Sequence, residues 1–340
     1  MKLVSYLNEN GDEKLGLFYD EKVIPLRDNA KDMGFELPGL INLFLQNFSE
    51  NISKARKIDA ELKRGSIKIV ENKNMIRMLS PIPHPTSCRD AYAFRQHVAT
   101  ARRNRGVDMI PEFDLFPVFY FTNHNAIVGG GDIVIEDDHL LKLDFELEAA
   151  VVIGRKGRNI AAAEADSFIA GLTIMNDFSA RVLQMEEMKL NLGPAKGKDF
   201  ATAIGPWLVT LDELEPYRVS TLNGSQYDLP MAAFHNGEKI SEGNLKDMDW
   251  TFAEIIERAS YGVDLYPGDV IGSGTVGTGC YLELNGSRTL EALDKGESYT
   301  PVWLQEGDEI RLEIKGLGSL TNTIVRSDYA YSILAKKKNV

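Results

Sequence analysis

Two glutamates lie within an apolar stretch of the chain. Glu146 and Glu148 stand two residues apart in Leu143-Asp-Phe-Glu-Leu-Glu-Ala-Ala-Val-Val-Ile-Gly154, a pattern typical of a strand that enters a core. Residues i and i+2 of a strand point to the same face, so the two carboxylates lie side by side. Such a pair is unfavourable next to apolar surroundings unless a cation lies between the charges. Oxygen-only ligands suit a hard divalent ion such as Mg²⁺, Mn²⁺ or Ca²⁺.

Composition narrows the class of protein. The 340 residues are 44% hydrophobic, which is typical of a globular chain with one large and one smaller domain. No apolar run approaches the ~20 residues of a membrane span, and the first residues do not resemble a signal peptide. The net charge of −12 lacks any dense Lys/Arg block, so neither nucleic acid nor a membrane is an expected partner. Cys88 and Cys280 form no disulfide framework, and a cytoplasmic location is expected.

A proline-rich connector divides the chain. Leu79-Ser-Pro-Ile-Pro-His-Pro-Thr-Ser has prolines at alternate positions and is predicted to be extended. We therefore expect a small N-terminal α/β domain over residues 1–75 and a catalytic domain over 76–340. Predicted elements of the first unit are a hairpin from Lys2–Leu7 and Lys14–Tyr19, and helices over Leu37–Asn47 and Ile52–Arg64.

The second unit reads mainly as strands, which predicts an α+β, β-rich fold with a rolled or barrel-like catalytic domain. Helices are expected over Ala161–Ala170 and Thr251–Ala259, the latter capped by Asp249 or Thr251. Asn236-Gly237 predicts a tight hairpin turn. Predicted strands include Glu146–Ile153, Gly171–Asn176, Trp207–Thr210, Val270–Gly272, Gly279–Leu284, Glu309–Ile314 and Gly318–Val325.

Two further acids could join the glutamate pair. Asp177 ends an apolar strand pattern, where acids commonly face a site, and Asp90 lies in Cys88-Arg-Asp-Ala-Tyr-Ala-Phe-Arg-Gln-His97. Taken singly, each is more simply explained as a surface carboxylate or a helix cap, because most acids are solvated. That explanation does not suit Glu146 and Glu148, because their strand is predicted to be buried.

His97 follows Asp90 by seven residues, which would place both on one face if a helix began near Asp90. A lone histidine is more often structural, and a general base requires a carboxylate to orient it. Glu283, an acid in the apolar pattern of Gly279–Leu284, is a candidate partner. Lys198, among glycines, is either an ordinary surface lysine or a cation for an anionic substrate.

The segment Gly272-Ser-Gly-Thr-Val-Gly277 matches the dinucleotide pattern G-x-G-x-x-G. The residues after it form a strand pattern, with no predicted helix to receive a pyrophosphate. A turn whose N–H groups and Thr275 hydroxyl hold a carboxylate fits better.

Several ordered motifs together resemble the fumarylacetoacetate hydrolase family over roughly residues 79–335. They are Ser80-Pro-Ile-Pro-His-Pro, Asp90 with Arg95-Gln-His97, Glu146-Leu-Glu148, Asn176-Asp-Phe-Ser-Ala-Arg181 with Gln184, Lys198-Asp-Phe with Gly205-Pro-Trp, Asn236-Gly-Glu, and Gly272-Ser-Gly-Thr275. The site motifs are most similar to those of the family's namesake enzyme. The resemblance implies a β-roll catalytic domain, a homodimer and a role in aromatic amino acid catabolism.

The resemblance also implies roles for individual residues. It assigns metal binding to Asp90, Glu146, Glu148 and Asp177, with Mg²⁺ expected first and Ca²⁺ or Mn²⁺ as alternatives. His97 aligns with a base that is oriented by the glutamate matching Glu283. Substrate binding or charge stabilisation is implied for Tyr92, Tyr120, Arg181, Gln184, Lys198 and Thr275.

This chain departs from the family pattern at three places. Val182 follows Ala-Arg where the family usually has aspartate, and Met188 takes the place of a tyrosine in the namesake enzyme. A substrate arginine downstream of the histidine has only candidate matches, namely Arg102, Arg103 and Arg105.

The resulting hypothesis is metal-dependent hydrolysis of a carbon–carbon bond in a small 1,3-diketo acid of the fumarylacetoacetate or acylpyruvate type. His97 and Glu283 would activate water, Lys198 and Gln184 would stabilise negative charge, and Arg181 or Thr275 would anchor a carboxylate. The first alternative is decarboxylation or tautomerisation of a 2-oxo acid by the same family. A non-catalytic binding protein with structural Ca²⁺ ranks below it, and a nicotinamide-dependent dehydrogenase ranks last.

Overall fold

The computed structural model describes residues 1–72, 75–329 and 331–336, and has a mixed α+β, sheet-rich fold. The strands are β1 (Lys2–Leu7), β2 (Glu13–Tyr19), β3 (Lys22–Pro25), β4 (Arg77–Met78), β5 (Cys88–Ala91), β6 (Phe119–Thr122), β7 (Ile127–Val128), β8 (Gly131–Ile135), β9 (Leu143–Asp144), β10 (Leu147–Ile153), β11 (Gly157–Arg158), β12 (Ile169–Asp177), β13 (Ser179–Ala180), β14 (Thr202–Val209), β15 (Arg218–Ser220), β16 (Ser225–Tyr227), β17 (Pro230–His235), β18 (Glu238–Asn244), β19 (Asp264–Leu265), β20 (Val270–Gly272), β21 (Glu309–Ile314) and β22 (Gly318–Arg326). The helices are α1 (Leu26–Asp32), α2 (Ile41–Gln46), α3 (Phe48–Lys63), α4 (Arg95–Arg103), α5 (Asp137–Leu140), α6 (Ala162–Ala165), α7 (Arg181–Met188), α8 (Leu211–Leu214), α9 (Phe252–Ser260) and α10 (Tyr281–Asp294).

An eleven-stranded sheet joins segments that lie far apart in the sequence. Its main path is β3-β2-β1-β14-β12-β10-β20-β5-β6, with β4 paired to β1 and β7 paired to β14. Every residue of β10, β12, β20 and β5 is buried. Strands covered on both faces read as continuous apolar runs, which explains why the predicted strands here lack strict alternation. The sheet therefore carries its acidic residues on fully covered, central strands.

Two cores cover the two faces of this sheet. Along β10, Leu147, Ala149 and Val151 face one hydrophobic core, whereas Ala150 and Val152 face the other. Strand alternation places Glu148 on the same face as Ala150 and Val152, the face that is packed against the N-terminal residues. A second sheet, β18-β17-β21-β22-β8, contributes Ile310, Leu312 and Ile324 to the first core.

Local signals confirm several predicted elements. The hairpin β17–β18 turns at Asn236 and Gly237, whose φ values of 49° and 84° are those an Asn-Gly turn tolerates. Helix α9 begins after Thr251, whose hydroxyl accepts the Glu254 N–H while the Glu254 carboxylate accepts the Thr251 N–H. This capping box settles the cap as Thr251, and Asp249 instead accepts the N–H of Arg95 at 2.8 Å.

Other boundaries differ from the prediction for identifiable reasons. The helix expected over Leu37–Asn47 begins only at Ile41, because Pro38-Gly39 favours a non-helical start. The next helix begins earlier than predicted, at Phe48. The helix expected over Ala161–Ala170 ends at Ala165, since Ile169 already belongs to β12. Asp90 lies on strand β5 and not near the start of a helix, so the predicted shared helical face with His97 is wrong.

Strand β1 of the N-terminal unit pairs with β14 of the remainder, so the two proposed domains share a sheet. The division at residue 75 stays a prediction, and residues 73–74, 330 and 337–340 lie outside the described residues. Among the helices of the described segments, none is both long and apolar enough to cross a bilayer.

Candidate active site

Four carboxylates from three separate segments converge at the centre of the large sheet. Oxygens of Asp90, Glu146, Glu148 and Asp177 all lie within 4.8 Å of one another, and all four residues are buried. Asp90 comes from β5, Glu148 from β10 and Asp177 from the end of β12, while Glu146 immediately precedes β10. The structure thus brings together the four acids that the sequence indicated as metal ligands.

Gly272 makes this convergence possible. On β20 it pairs with Ala150 on one side and Asp90 on the other, so it lies between β10 and β5, two of the three acid-bearing strands. A Cβ at this position would lie 2.6 Å from Asp90 Oδ1 and 3.0 Å from Glu148 Oε2. Any larger residue would therefore fill the space in which the carboxylates meet.

The four acids fit a hard divalent cation. Glu148 Oε2 and Asp177 Oδ1 are buried without a hydrogen-bond partner in the structure. Unpaired buried anionic oxygens are rare because they lose hydration without compensation. An all-carboxylate donor set matches the preference of Mg²⁺, Mn²⁺ or Ca²⁺.

Electrostatics support the need for a cation. Burial, followed by repulsion from Asp177, raises the pKa of Asp90 to about 7. Burial and the charge of Asp90 also raise the pKa of Glu148 well above its usual value, and burial raises that of Asp177. The protein alone therefore does not balance the charges of this cluster.

Two buried cations offset part of the negative charge. Lys198 Nζ lies 2.5 Å from Glu146 Oε2 and 2.7 Å from Asp177 Oδ2. Arg181 Nη2 donates to Glu146 Oε1 at 2.8 Å, and its Nη1 donates to Gln184 Oε1 at 2.9 Å. Burial would raise the pKa of Glu146, but Lys198 and Arg181 lower it to about 2. Lys198 is accordingly a buried member of the cluster, so its reading as a surface lysine is wrong.

A histidine–glutamate pair lies beside the carboxylate cluster. His97 Nδ1 and Glu283 Oε2 are 2.7 Å apart, and both residues are buried. Glu283 Oε1 also accepts the N–H of Thr278 at 2.9 Å, which fixes the carboxylate. With Nδ1 as the donor to the Glu283 carboxylate, the lone pair of His97 would be on Nε2. This is the arrangement that a general base requires.

Glu283 lies on helix α10 and not on the strand predicted over Gly279–Leu284. Apolar residues in a short run do not distinguish a buried strand from a helix. The first helical N–H groups, those of Tyr281 and Leu282, donate to Asp144 at 2.7 and 2.9 Å. A carboxylate distant in sequence therefore caps this helix, which no local pattern could reveal.

The same contacts decide between the two interpretations of the glycine pattern at 272–277, a pyrophosphate-binding loop or a turn beside the carboxylates. A helix does follow it, contrary to the prediction, but Asp144 already binds the N–H groups at the helix start. Gly274 has a φ of 77°, and its N–H donates to Asp90 Oδ1 at 3.1 Å. A Cβ on Gly274 would lie 2.6 Å from the carbonyl oxygen of Ala91. The glycines therefore shape the carboxylate site and provide no pyrophosphate cradle.

One cavity of about 680 Å³ is lined by Asp90 and Glu146 of the carboxylate cluster and by His97 of the histidine–glutamate pair. Glu148, Asp177 and Glu283 are buried and are not among the residues that line it. The predicted site residues that line it are Asp90, Tyr92, His97, Tyr120, Glu146, Arg181, Gln184, Lys198 and Thr275. Tyr120 donates its hydroxyl hydrogen to Asp177 Oδ2, and Thr275 Oγ1 lies 3.4 Å from Glu148 Oε1. Of the three candidate arginines only Arg105 lines the cavity, whereas Arg103 donates to Ser287 and Arg102 to the carbonyl of Asp108.

Asp144 is the functional residue that sequence reasoning missed. It is completely buried, and its Oδ2 accepts from Arg181 Nε at 2.8 Å. It therefore connects the arginine beside the carboxylate cluster to the helix that carries Glu283. The signal was present, because Asp144, Glu146 and Glu148 alternate in the same run.

A second group of potential ligands, His97, Cys280 and Glu283, also lies within 4.8 Å. His97 and Glu283 already hydrogen-bond to each other, and burial raises the pKa of the Cys280 thiol well above its usual value. The carboxylate group is the better metal site, because its oxygens are the ones left without partners.

Comparisons with known proteins find a family model, curated relatives and solved structures that are similar to this chain. A family model of the fumarylacetoacetate (FAA) hydrolase C-terminal domain matches residues 86–325. The rat mitochondrial protein oxaloacetate tautomerase Fahd2a is 32% identical over 212 residues, which is 62% of this chain and 59% of that protein. Fumarylacetoacetase of Oryza sativa subsp. japonica is 35% identical over 202 residues, 50% of this chain and 46% of that enzyme. The matched region thus spans about half the length of these curated relatives.

A solved structure shares the fold across nearly the whole chain. It is the fumarylacetoacetate hydrolase of Exiguobacterium antarcticum, with a TM-score of 0.65 and 22% identity. The superposition covers 96% of this chain and 100% of that structure. This likeness confirms the fold class predicted from the sequence.

Replacing Asp144 tests its role as the connection between the two groups. Asp144→Asn keeps the size but removes the buried charge that pairs with Arg181, so we expect unfolding free energy to fall by about 3–5 kcal/mol. Urea denaturation measures the loss. Asp294→Asn, at the exposed end of the same helix, should change stability by less than about 0.5 kcal/mol. An Asp144→Asn protein as stable as wild type would contradict this role.

Metal binding should depend on pH because bound protons must leave. The raised pKa of Asp90, about 7, means that it is protonated in the metal-free fold below neutrality. Affinity for Mg²⁺ should therefore fall by at least about tenfold per pH unit below pH 7. The free energy of unfolding of the metal-free protein should change with pH in the opposite direction. Because the metal-free fold binds more protons than the unfolded chain, its stability falls as pH rises from about 4 towards 7.

Calorimetric titration of Mg²⁺ between pH 5.5 and 8 would measure the first effect, and thermal unfolding with chelator the second. The matched control is Asp294→Asn, because Asp294 is exposed and its loss should leave the pH dependence of Mg²⁺ affinity and of stability unchanged. Asp269 is buried and would not serve as a control. A pH-independent Mg²⁺ affinity would show that the acids are already ionised without metal.

Proposed function

Because this chain belongs to the fumarylacetoacetate hydrolase family, we propose that it hydrolyses a carbon–carbon bond in a small 1,3-diketo acid. The observation that carries this proposal is the buried pair of His97 and Glu283, 2.7 Å apart, whose histidine lines the same cavity as Asp90 and Glu146. Hydrolysis needs a group that removes a proton from water, and this pair has the geometry for it. A cavity of about 680 Å³ has room for a small diketo acid of the fumarylacetoacetate or acylpyruvate type.

A divalent cation held by Asp90, Glu146, Glu148 and Asp177 would supply Lewis-acid chemistry, polarising substrate oxygens and neutralising the charge that develops on them. We propose Mg²⁺, with Ca²⁺ or Mn²⁺ as alternatives, because every donor is a carboxylate oxygen. The residues around the ligands then determine where substrate and water bind.

His97 would begin the reaction. Its Nε2 takes one proton from a water molecule while Nδ1–H continues to donate to Glu283. The water oxygen bonds to one carbonyl carbon, and the bond from that carbon to the methylene between the two carbonyls breaks. The electron pair stays on the departing carbon as an enolate, which receives the proton held by His97. One water is consumed, and a carboxylic acid and a ketone are released.

Lys198 and Gln184 would stabilise the developing negative charge. Two of the three ammonium protons of Lys198 are used on Glu146 and Asp177, which leaves one for a substrate oxygen. Gln184 accepts from Arg181 through Oε1, so its amide NH₂ is oriented as a donor. Arg181 already donates to Asp144, Glu146 and Gln184, and would act by fixing Gln184. Thr275 is then the proposed anchor for a substrate carboxylate, to which its hydroxyl would turn from Glu148 Oε1, at present 3.4 Å away.

A second candidate is tautomerisation or decarboxylation of a 2-oxo acid. The name of the rat relative, an oxaloacetate tautomerase, favours it. In a tautomerase His97 would move a proton between carbon and oxygen of the substrate, and no water would attack. Turnover of acylpyruvates, fumarylacetoacetate and oxaloacetate, each with Mg²⁺ and with chelator, separates the two candidates by their products.

The cellular context also belongs to this proposal. We propose a homodimer in the cytoplasm with a role in aromatic amino acid catabolism. Both cysteines are buried and free, which suits a reducing compartment. The rat relative is named as mitochondrial, so fractionation and light scattering would test location and oligomeric state.

Variants of the proposed base give the direct test. His97→Ala and Glu283→Gln should each lower kcat for diketone hydrolysis by about 10²–10⁴-fold, because water is no longer activated. Mg²⁺ affinity, measured by calorimetry, should stay near that of wild type, since neither side chain is a proposed ligand. Matched controls are His124→Ala and Glu291→Gln, both exposed, the latter on the same helix as Glu283. Wild-type hydrolysis by either site variant would exclude this mechanism.

A further inference from the structure

The cavity is also lined by residues that have no role in the proposed reaction. Beyond the carboxylates and His97, its lining is an apolar wall contributed by several segments. The members of this apolar wall are Val118, Phe119, Met185, Met188, Leu282, Pro301 and Trp303. Side chains of this kind bind the part of a ligand that does not react.

The apolar wall is incompletely covered by the protein. Val118 is 42% exposed, Met185 39% and Met188 45%, and all three lie at the same cavity. A ligand that extends from the carboxylates past His97 would remove this surface from water. Both methionines lie on α7, the helix that begins with Arg181, so the wall is continuous with the reaction centre.

Cations for a second substrate carboxylate are scarce in this cavity. Lys198 and Arg181 are both held by protein carboxylates. Among the cavity residues that the structure describes, Arg105 is the cation with no carboxylate within salt-bridge distance, and it is exposed at the rim. Its Nε donates to the carbonyl of Ala101 at 3.1 Å.

The polar side chains beside the apolar wall are already satisfied. Asn285 donates to the carbonyl of Val302 at 2.7 Å and accepts from its N–H at 2.9 Å. Asn104 donates to the carbonyl of Glu283 at 3.0 Å, and Thr289 donates to that of Asn285 at 2.7 Å. A carboxylate placed here would lose hydration without gaining a strong partner.

We propose that the substrate is an acylpyruvate with an apolar acyl tail, alkyl or aryl, which packs on the apolar wall, and that tails ending in a carboxylate are rejected. This inference rests on the proposed diketo acid hydrolysis and adds the chemistry of the tail. Selectivity comes both from apolar burial and from the absence, among the described residues that line the cavity, of a buried cation free to pair with a second charge.

Three substrates separate the possibilities: acetylpyruvate with a short tail, valerylpyruvate with an apolar tail, and succinylpyruvate, whose tail has similar length but ends in a carboxylate. With Mg²⁺ present, kcat/KM for valerylpyruvate should exceed that for each of the others by at least about tenfold. Succinylpyruvate equal to or better than valerylpyruvate would overturn the inference while leaving the hydrolase proposal intact.

A charge placed on the apolar wall should reverse the preference. Met188→Lys offers a cation to the succinyl carboxylate, so the ratio of kcat/KM for succinylpyruvate to that for valerylpyruvate should rise by at least about tenfold. Leu190→Lys is the matched control, because Leu190 is 81% exposed and does not line the cavity. An unchanged ratio in Met188→Lys, or the same change in Leu190→Lys, would contradict the placement of the tail.

Binding measurements keep the test independent of turnover. The monoketo acids 2-oxooctanoate and 2-oxoheptanedioate have the carbon chains of valerylpyruvate and succinylpyruvate but lack the second carbonyl, so they cannot be cleaved in this reaction. Calorimetry with Mg²⁺ should give at least about tenfold tighter binding of 2-oxooctanoate. If no acylpyruvate is hydrolysed but this preference holds, the proposed reaction fails and the tail selectivity stands. Equal or weaker binding of 2-oxooctanoate overturns the selectivity whatever the turnover.

Discussion

Repulsion among four buried carboxylates is the main constraint that the surrounding structure must offset. Asp90, Glu146, Glu148 and Asp177 have lost their hydration and lie within 4.8 Å of one another. Lys198 and Arg181 offset part of that charge, yet burial still raises the pKa of Glu148, and two carboxylate oxygens lack partners. The protein keeps the cluster because central strands, covered on both faces, hold it in place. A divalent cation would remove the remaining imbalance.

The second constraint is the position of the His97–Glu283 pair relative to this carboxylate cluster. Asp144 pairs with Arg181 and caps the helix of Glu283, so one buried charge fixes the positions of both groups. Gly272 and Gly274 allow strand and loop to approach the acids where a side chain would collide. The proposed chemistry therefore follows from packing as much as from the reacting residues.

Sequence patterns predicted parts of this arrangement and not others. Strand periodicity paired Glu146 with Glu148 correctly, and the hairpin at Asn236-Gly237 and the cap at Thr251 followed from local rules. The convergence of Asp90 with Glu148 depends on β20 lying between β10 and β5, an order that no periodicity encodes. Only the family resemblance anticipated it. Helix α10 was mistaken for a strand because its cap, Asp144, is remote in sequence.

The most direct measurement is an anomalous difference map from crystals grown with Mn²⁺. The account predicts one ion whose ligands include oxygens of Asp90, Glu146, Glu148 and Asp177, at metal–oxygen distances of roughly 2.0–2.6 Å for a hard divalent cation. Lys198 would remain beside Glu146 and Asp177. An ion bound elsewhere, or four carboxylates with no ion at saturating Mn²⁺, would contradict the account.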